Sequence, residues 1–165
     1  MTRTHLSPWA VWGLYLFAAV LVSSPIVDLV STAWPPRFGD MSWRYGFFGL
    51  AAGYVHTPLM GVVLAMAVAY GQGHAGSLRA LGIVSLVLAL LLVPVLALWP
   101  MDVLQMRALR EPEVQRGVLI GGVLQEIKYL GACIVMGCLG LGSLGTSKDL
   151  GDAWRGESPG ILRRD

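Results

Sequence analysis

GFFGLAAGYVHTPLMGVVLAMAVAY, Gly46 to Tyr70, is the stretch whose reading decides the fold. Its 25 residues are apolar apart from one imidazole, His56. At about 1.5 Å per residue a helix of this length measures roughly 37 Å, enough to cross a hydrocarbon core of about 30 Å with some tilt. Residues four apart within it form a ridge of small side chains: Gly49, Gly53, Thr57, Gly61, Ala65 and Ala69. Lipid tails are as apolar as leucine, so spans associate through close backbone approach at such small residues rather than through hydrophobicity. The ridge therefore predicts a span at the centre of a bundle or of a partner interface.

The composition agrees with that reading. Of 165 residues, 55% are hydrophobic and 13% charged, and the mean hydropathy is +0.64. Soluble domains carry about 25% charged residues, so this chain belongs with integral membrane proteins. The expected fold class is all-α: an integral membrane four-helix bundle with short loops, and spans at about 9–30, 46–70, 81–99 and 127–145. These make one domain, 1–145, followed by a polar tail, 146–165. A net charge of +2 without any run of basic residues excludes nucleic acid as a partner. Cys133 and Cys138 stand five apart, roughly 140° around a helix, and can neither share a metal nor bridge to each other.

Working outward, Trp9 to Val30 is an apolar run of 22 residues, whereas signal-peptide cores run to about 7–15. It reads as a retained first span, with Trp9, Trp12 and Tyr15 at one interface and Trp34 at the other. Ser23 and Ser24 can satisfy carbonyls freed by Pro25, and Asp28 reaches water. In the connection STAWPPRFGDMSWRY, Pro35 and Pro36 stop the first helix and Asp40 is placed to cap the second. Trp34, Trp43 and Phe47 supply aromatic surface for the membrane face or a partner. GQGHAGS is a turn by composition, and the third span is broken only by Ser85 and Pro94. After Pro100, Asp102 is expected to cap a short surface helix between spans three and four, which Pro112 ends.

The last apolar stretch, Gly117 to Gly145, holds Gln125, Glu126 and Lys128. A span starting near Ile127 makes both charges interfacial, and this placement is preferred. One starting at Gly117 puts both inside the membrane, where an ion marks a functional site by default. Glu126 and Lys128 lie roughly 200° apart on a helix and cannot neutralise each other. A buried member needs a partner on another helix, such as Arg107 or Asp102. The tail reads as an exposed, weakly ordered segment in which Trp154 is the one residue fit to dock.

Arg3, Arg79, Lys148, Arg155, Arg163 and Arg164 fall on one side, against Arg37, Arg44, Arg107, Arg110 and Arg116 on the other. This bias favours cytoplasmic termini. The preference for Arg over Lys, with abundant Ala, Gly, Leu and Val, points to a bacterial plasma or intracytoplasmic membrane.

For chemistry, His56 is the sharpest candidate, as cofactor ligand, proton relay or interhelical hydrogen-bonding group. A haem held by two histidines is disfavoured, because His5 and His74 lie in the N-terminal tail and the second turn. Ala52-x-x-x-His56 resembles, over five residues, the Ala-x-x-x-His pattern of light-harvesting polypeptides, in which a small residue one turn away makes room for a pigment ring. The resemblance implies one axial ligand for a (bacterio)chlorophyll, although those antenna chains have one span rather than four. No zinc-protease, nucleophile-elbow or phosphate-loop signature is present. Nor do the spans repeat in halves as in secondary transporters. The leading expectation is a non-catalytic accessory or structural subunit of a larger membrane assembly, an energy-transducing one among the candidates, with lipid and other membrane subunits as partners. The alternatives are a pigment- or haem-binding protein using His56, and a small proton-coupled carrier using Glu126, Lys128 and His56.

Overall fold

A computed structural model describes the backbone of residues 7–156 and the side chains of residues 7–150. It consists of five helices: α1 (Pro8–Ala33), α2 (Met41–Tyr54), α3 (His56–Gly71), α4 (Ala75–Ala108) and α5 (Pro112–Gly156). No strand occurs among the described residues. The start of α1 is set by Pro8 in its first turn and by the Ser7 hydroxyl, which accepts from the Ala10 N–H at 3.3 Å. The expected cap of α2 is present: an Asp40 carboxylate oxygen accepts from the N–H groups of Ser42 at 2.8 Å and Trp43 at 3.4 Å.

Three helices, α1, α4 and α5, are long and apolar enough to cross a membrane, and α2 with α3 makes a fourth if the bent pair counts as one span. The chain is thus compatible with a multi-pass membrane protein. The stretch that opened the sequence reading is not one straight helix. It bends by 40° between Tyr54 and His56. The cause is Pro58, which has no N–H to give to the Tyr54 carbonyl four residues back and whose ring crowds it. Pairing resumes with the Leu59 N–H on the Val55 carbonyl at 3.4 Å. Pro25, Pro94 and Pro100 all lie inside unbroken helices.

Three further expectations are corrected. The helix of the third span does not stop at Trp99, and no separate surface helix follows it. α4 runs on for 34 residues through Pro100, so Asp102 is an interior helical residue, 2% exposed, and not a cap. The turns before Ile127 do not form a separate surface helix, because α5 runs unbroken from Pro112 for 45 residues and keeps Glu126 and Lys128 well inside a helix. The proposed weakly ordered tail is helical as far as Gly156. The Trp154 side chain and residues 157–165 lie outside the described set.

The most extensive interface joins α4 to α5, and the next joins α1 to α3. Glycines set both. A Cβ on Gly140 would lie 2.6 Å from Leu86 Cγ, one on Gly122 would lie 2.5 Å from Val103 Cγ1, and one on Gly82 would collide with the Ser143 hydroxyl. On the α1 side, a Cβ on Gly61 would lie 2.8 Å from the Ala18 carbonyl oxygen. The core between these layers is built from Val62, Met66, Ala69, Leu78, Ala89 and Met136. The small-residue ridge is therefore divided by the bend. Gly61, Ala65 and Ala69 are buried on α3. Gly49 faces Gln125, Thr57 is half-buried, and Gly53 is exposed with open space where a side chain would go. Large apolar side chains such as Leu90, Leu91 and Ile120 cover the outside, as expected of helices solvated by lipid.

Candidate functional site

Polar side chains in apolar helices must find partners, and one cluster of them forms where α2 meets the second half of α4 and the first half of α5. Arg44, in the first turn of α2, grips Asp102 of α4 with two guanidinium nitrogens. Nε donates to one carboxylate oxygen at 3.1 Å and a terminal nitrogen to the other at 2.7 Å. Its remaining terminal nitrogen donates to the Phe38 carbonyl at 2.9 Å. The fork geometry satisfies both oxygens of a carboxylate that water hardly reaches. One turn away, Trp99 is 1% exposed, its indole N–H donates to the Gly122 carbonyl at 2.9 Å, and its ring stacks on Tyr45 with centroids 5.1 Å apart. Deeper along α5, the buried Tyr129 hydroxyl donates to the Phe48 carbonyl of α2.

Between these satisfied groups lie two that are not. The side-chain oxygens Gln125 Oε1 and Glu126 Oε2 are buried without a hydrogen-bond partner. Gln125 is turned toward Gly49 of α2. Glu126 lines a groove of about 170 Å3 between α4 and α5, walled by Trp99, Pro100, Val103, Leu104, Leu119 and Val123. The arrangement can hold helices together through the Arg44, Trp99 and Tyr129 hydrogen bonds. No group of three or more His, Cys, Asp and Glu side chains suited to a metal occurs among the described residues.

The structure places the other sequence candidates as follows. His56 opens α3 on the exposed side of the bend, whereas Ala52 is fully buried, so the Ala-x-x-x-His pair does not share one continuous helical face. Lys128 is exposed on α5. No hydrogen bond or ion pair joins His56, Glu126 and Lys128 among the described residues. Asp102 does not serve Glu126, being held by Arg44. In the first loop, Trp43 donates its indole N–H to the Ala33 carbonyl at 3.1 Å and stacks on Phe47 at 4.9 Å, bracing the end of α1 against α2. Trp34 and Phe38 are left exposed, at 71% and 66%. At the opposite end, the Tyr15 hydroxyl lies 3.2 Å from His74 Nδ1, which ties α1 to the turn before α4.

The sequence reading missed Pro58, the Arg44–Asp102 pair and the crossing glycines Gly82, Gly122 and Gly140. The signals existed. Arg44 and Asp102 are isolated charges bordering apolar runs, and such groups tend to find each other. Comparison with protein-family models, curated proteins and solved structures found no significant match.

Proposed function

We propose that this chain is a non-catalytic subunit of a larger membrane assembly, a four-span bundle in which α2 and α3 together make one bent span. The observation that carries the reading is the outer face of α5. Gly131, Cys138, Gly142 and Gly145 are all exposed there, and at 100° per residue they fall within a sector of about 60°. A Cβ at any of the three glycines would meet nothing within 4 Å. Glycine in a helix interior costs roughly 1 kcal/mol relative to alanine, and nothing among the described residues recoups that cost at these positions. Close approach of a second helix does, by van der Waals contact along the groove. The exposed Trp34 and Phe38 add a second, interfacial contact surface.

The test is extraction of the chain from its native membrane in mild detergent, followed by native electrophoresis and identification of co-migrating chains. Co-migration with a defined set of membrane proteins, abolished by Gly142→Leu, is the expected result. Migration of the unaltered chain alone overturns the reading.

A further inference from the structure

We propose that the cleft between the start of α1 and the turn from α3 to α4 binds a neutral aromatic ring that carries a carbonyl oxygen. This is independent of the assembly reading, since no residue of α5 lines the cleft. The first support is room. The cleft has a volume of about 810 Å3, and whole small-molecule ligands occupy about 300–1,000 Å3. Trp12 and Tyr15 of α1 stand on one side, and Gln72, His74, Gly76 and Ser77 on the other. The two sides are fastened together where the Tyr15 hydroxyl meets His74 Nδ1 at 3.2 Å and the two rings stack, their planes 14° apart.

The second is the character of the lining. Three of these side chains are aromatic, and Trp12 is 73% exposed, so its ring is open to a further contact. Aromatic faces favour a flat aromatic occupant over an aliphatic one of similar area. No Asp, Glu, Lys or Arg lines the cleft among the described residues. A charged ligand finds no counter-ion on these walls, and a neutral one needs none.

The third is an excess of free donors. Tyr15 and a neutral His74 own one O–H and one N–H between them. The hydrogen bond that joins them uses one, whichever way it runs, and leaves the other to give outward. α4 starts without a side-chain cap, and the N–H groups of Gly76 and Ser77 have no partner among the described residues. Gln72 and Ser77 side chains can give or take and do not alter the balance. A carbonyl oxygen, which only accepts, answers these donors, and the Tyr15–His74 pair is the one that reaches it from a side chain.

The full-length protein in a nonionic detergent is titrated by calorimetry with acetylnaphthalene, ethylnaphthalene and decanone, each measured against protein-free micelles. The first carries ring and carbonyl, the second the ring alone and the third the carbonyl alone. A hydrogen bond to otherwise unpaired donors predicts a preference of about threefold to tenfold for acetylnaphthalene over ethylnaphthalene. The ring contact predicts a similar preference over decanone. His74→Phe keeps a ring without its nitrogens and should weaken acetylnaphthalene by about twofold or more, leaving ethylnaphthalene unchanged. A Cβ at Gly76 would meet nothing within 4 Å, so Gly76→Leu fills open space and should abolish binding of both naphthalenes with the helical circular dichroism unchanged. Equal binding of the two naphthalenes, decanone binding as tightly as acetylnaphthalene, an acetylnaphthalene affinity unaltered in His74→Phe, or binding that survives in Gly76→Leu overturns the proposal.

Discussion

Two carboxylates on adjacent antiparallel helices receive opposite treatment. Asp102 on α4 is almost completely buried and is gripped by Arg44 through both oxygens. Glu126 on α5 is half-buried and has an oxygen shielded from water with no partner. Asp102 lies level with the start of α2, within reach of a guanidinium, whereas Glu126 lies beside a wall of Trp99, Pro100 and aliphatic side chains. A buried charge that is matched acts as a lock, and one left unmatched is a cost that the rest of the fold carries. The same comparison explains why α2 starts where it does, since Asp40 caps it and Arg44, one turn later, fastens it to α4.

The contrast is broken most forcefully by Arg44→Ala. It leaves Asp102, 2% exposed, without its partner, and should give the largest fall in the unfolding midpoint in mild detergent of the variants considered. Replacing both partners, Arg44→Met with Asp102→Leu, should recover most of that loss, because an apolar pair of similar volume often substitutes for a buried ion pair at little cost. A fall in the single variant no larger than that of His56→Ala would mean that the pair behaves as an exposed one.

A smaller effect tests the glycine contacts between helices. Gly61→Ala pushes a methyl group against the Ala18 carbonyl, a backbone atom that cannot swing aside, and should cost about 1–3 kcal/mol. Gly53→Leu, at a position with nothing nearby, should change the stability of the isolated chain by no more than about 0.5 kcal/mol. On the unmatched side, Glu126→Gln should leave stability within about 1 kcal/mol of the starting protein or raise it, since it removes an ion that nothing compensates. His56→Ala, at an exposed position outside the polar cluster, should have the least effect, within about 0.5 kcal/mol. Both are read as midpoints in the same detergent.

Much of the architecture could be read from the residues, and the failures have identifiable causes. Apolar run length located the helices, because hydrocarbon thickness sets a minimum length that sequence displays directly. Cap chemistry at Asp40 is local and was equally readable. Proline was harder. Pro58 bends the chain, but Pro100, which the reading took as a terminus, sits inside α4, where the extended contact with α5 and the Arg44–Asp102 pair favour continuing the helix. Small-residue spacing had the same weakness. Periodicity says that small residues share a face, but only the fold says whether that face meets backbone, as at Gly61, or open space, as at Gly53. The partner of Asp102 and the lack of one for Glu126 depend on a long-range meeting of three helices, and no local pattern encodes it.

The lengths of α4 and α5 carry a mechanical consequence. At 34 and 45 residues they measure roughly 51 and 68 Å, against a hydrocarbon slab of about 30 Å. Their paired shafts outreach that slab, and the glycine contacts at Gly82, Gly122 and Gly140 prevent them from sliding past one another. A paired shaft longer than the slab it would cross must either stand proud of it or lie tilted within it.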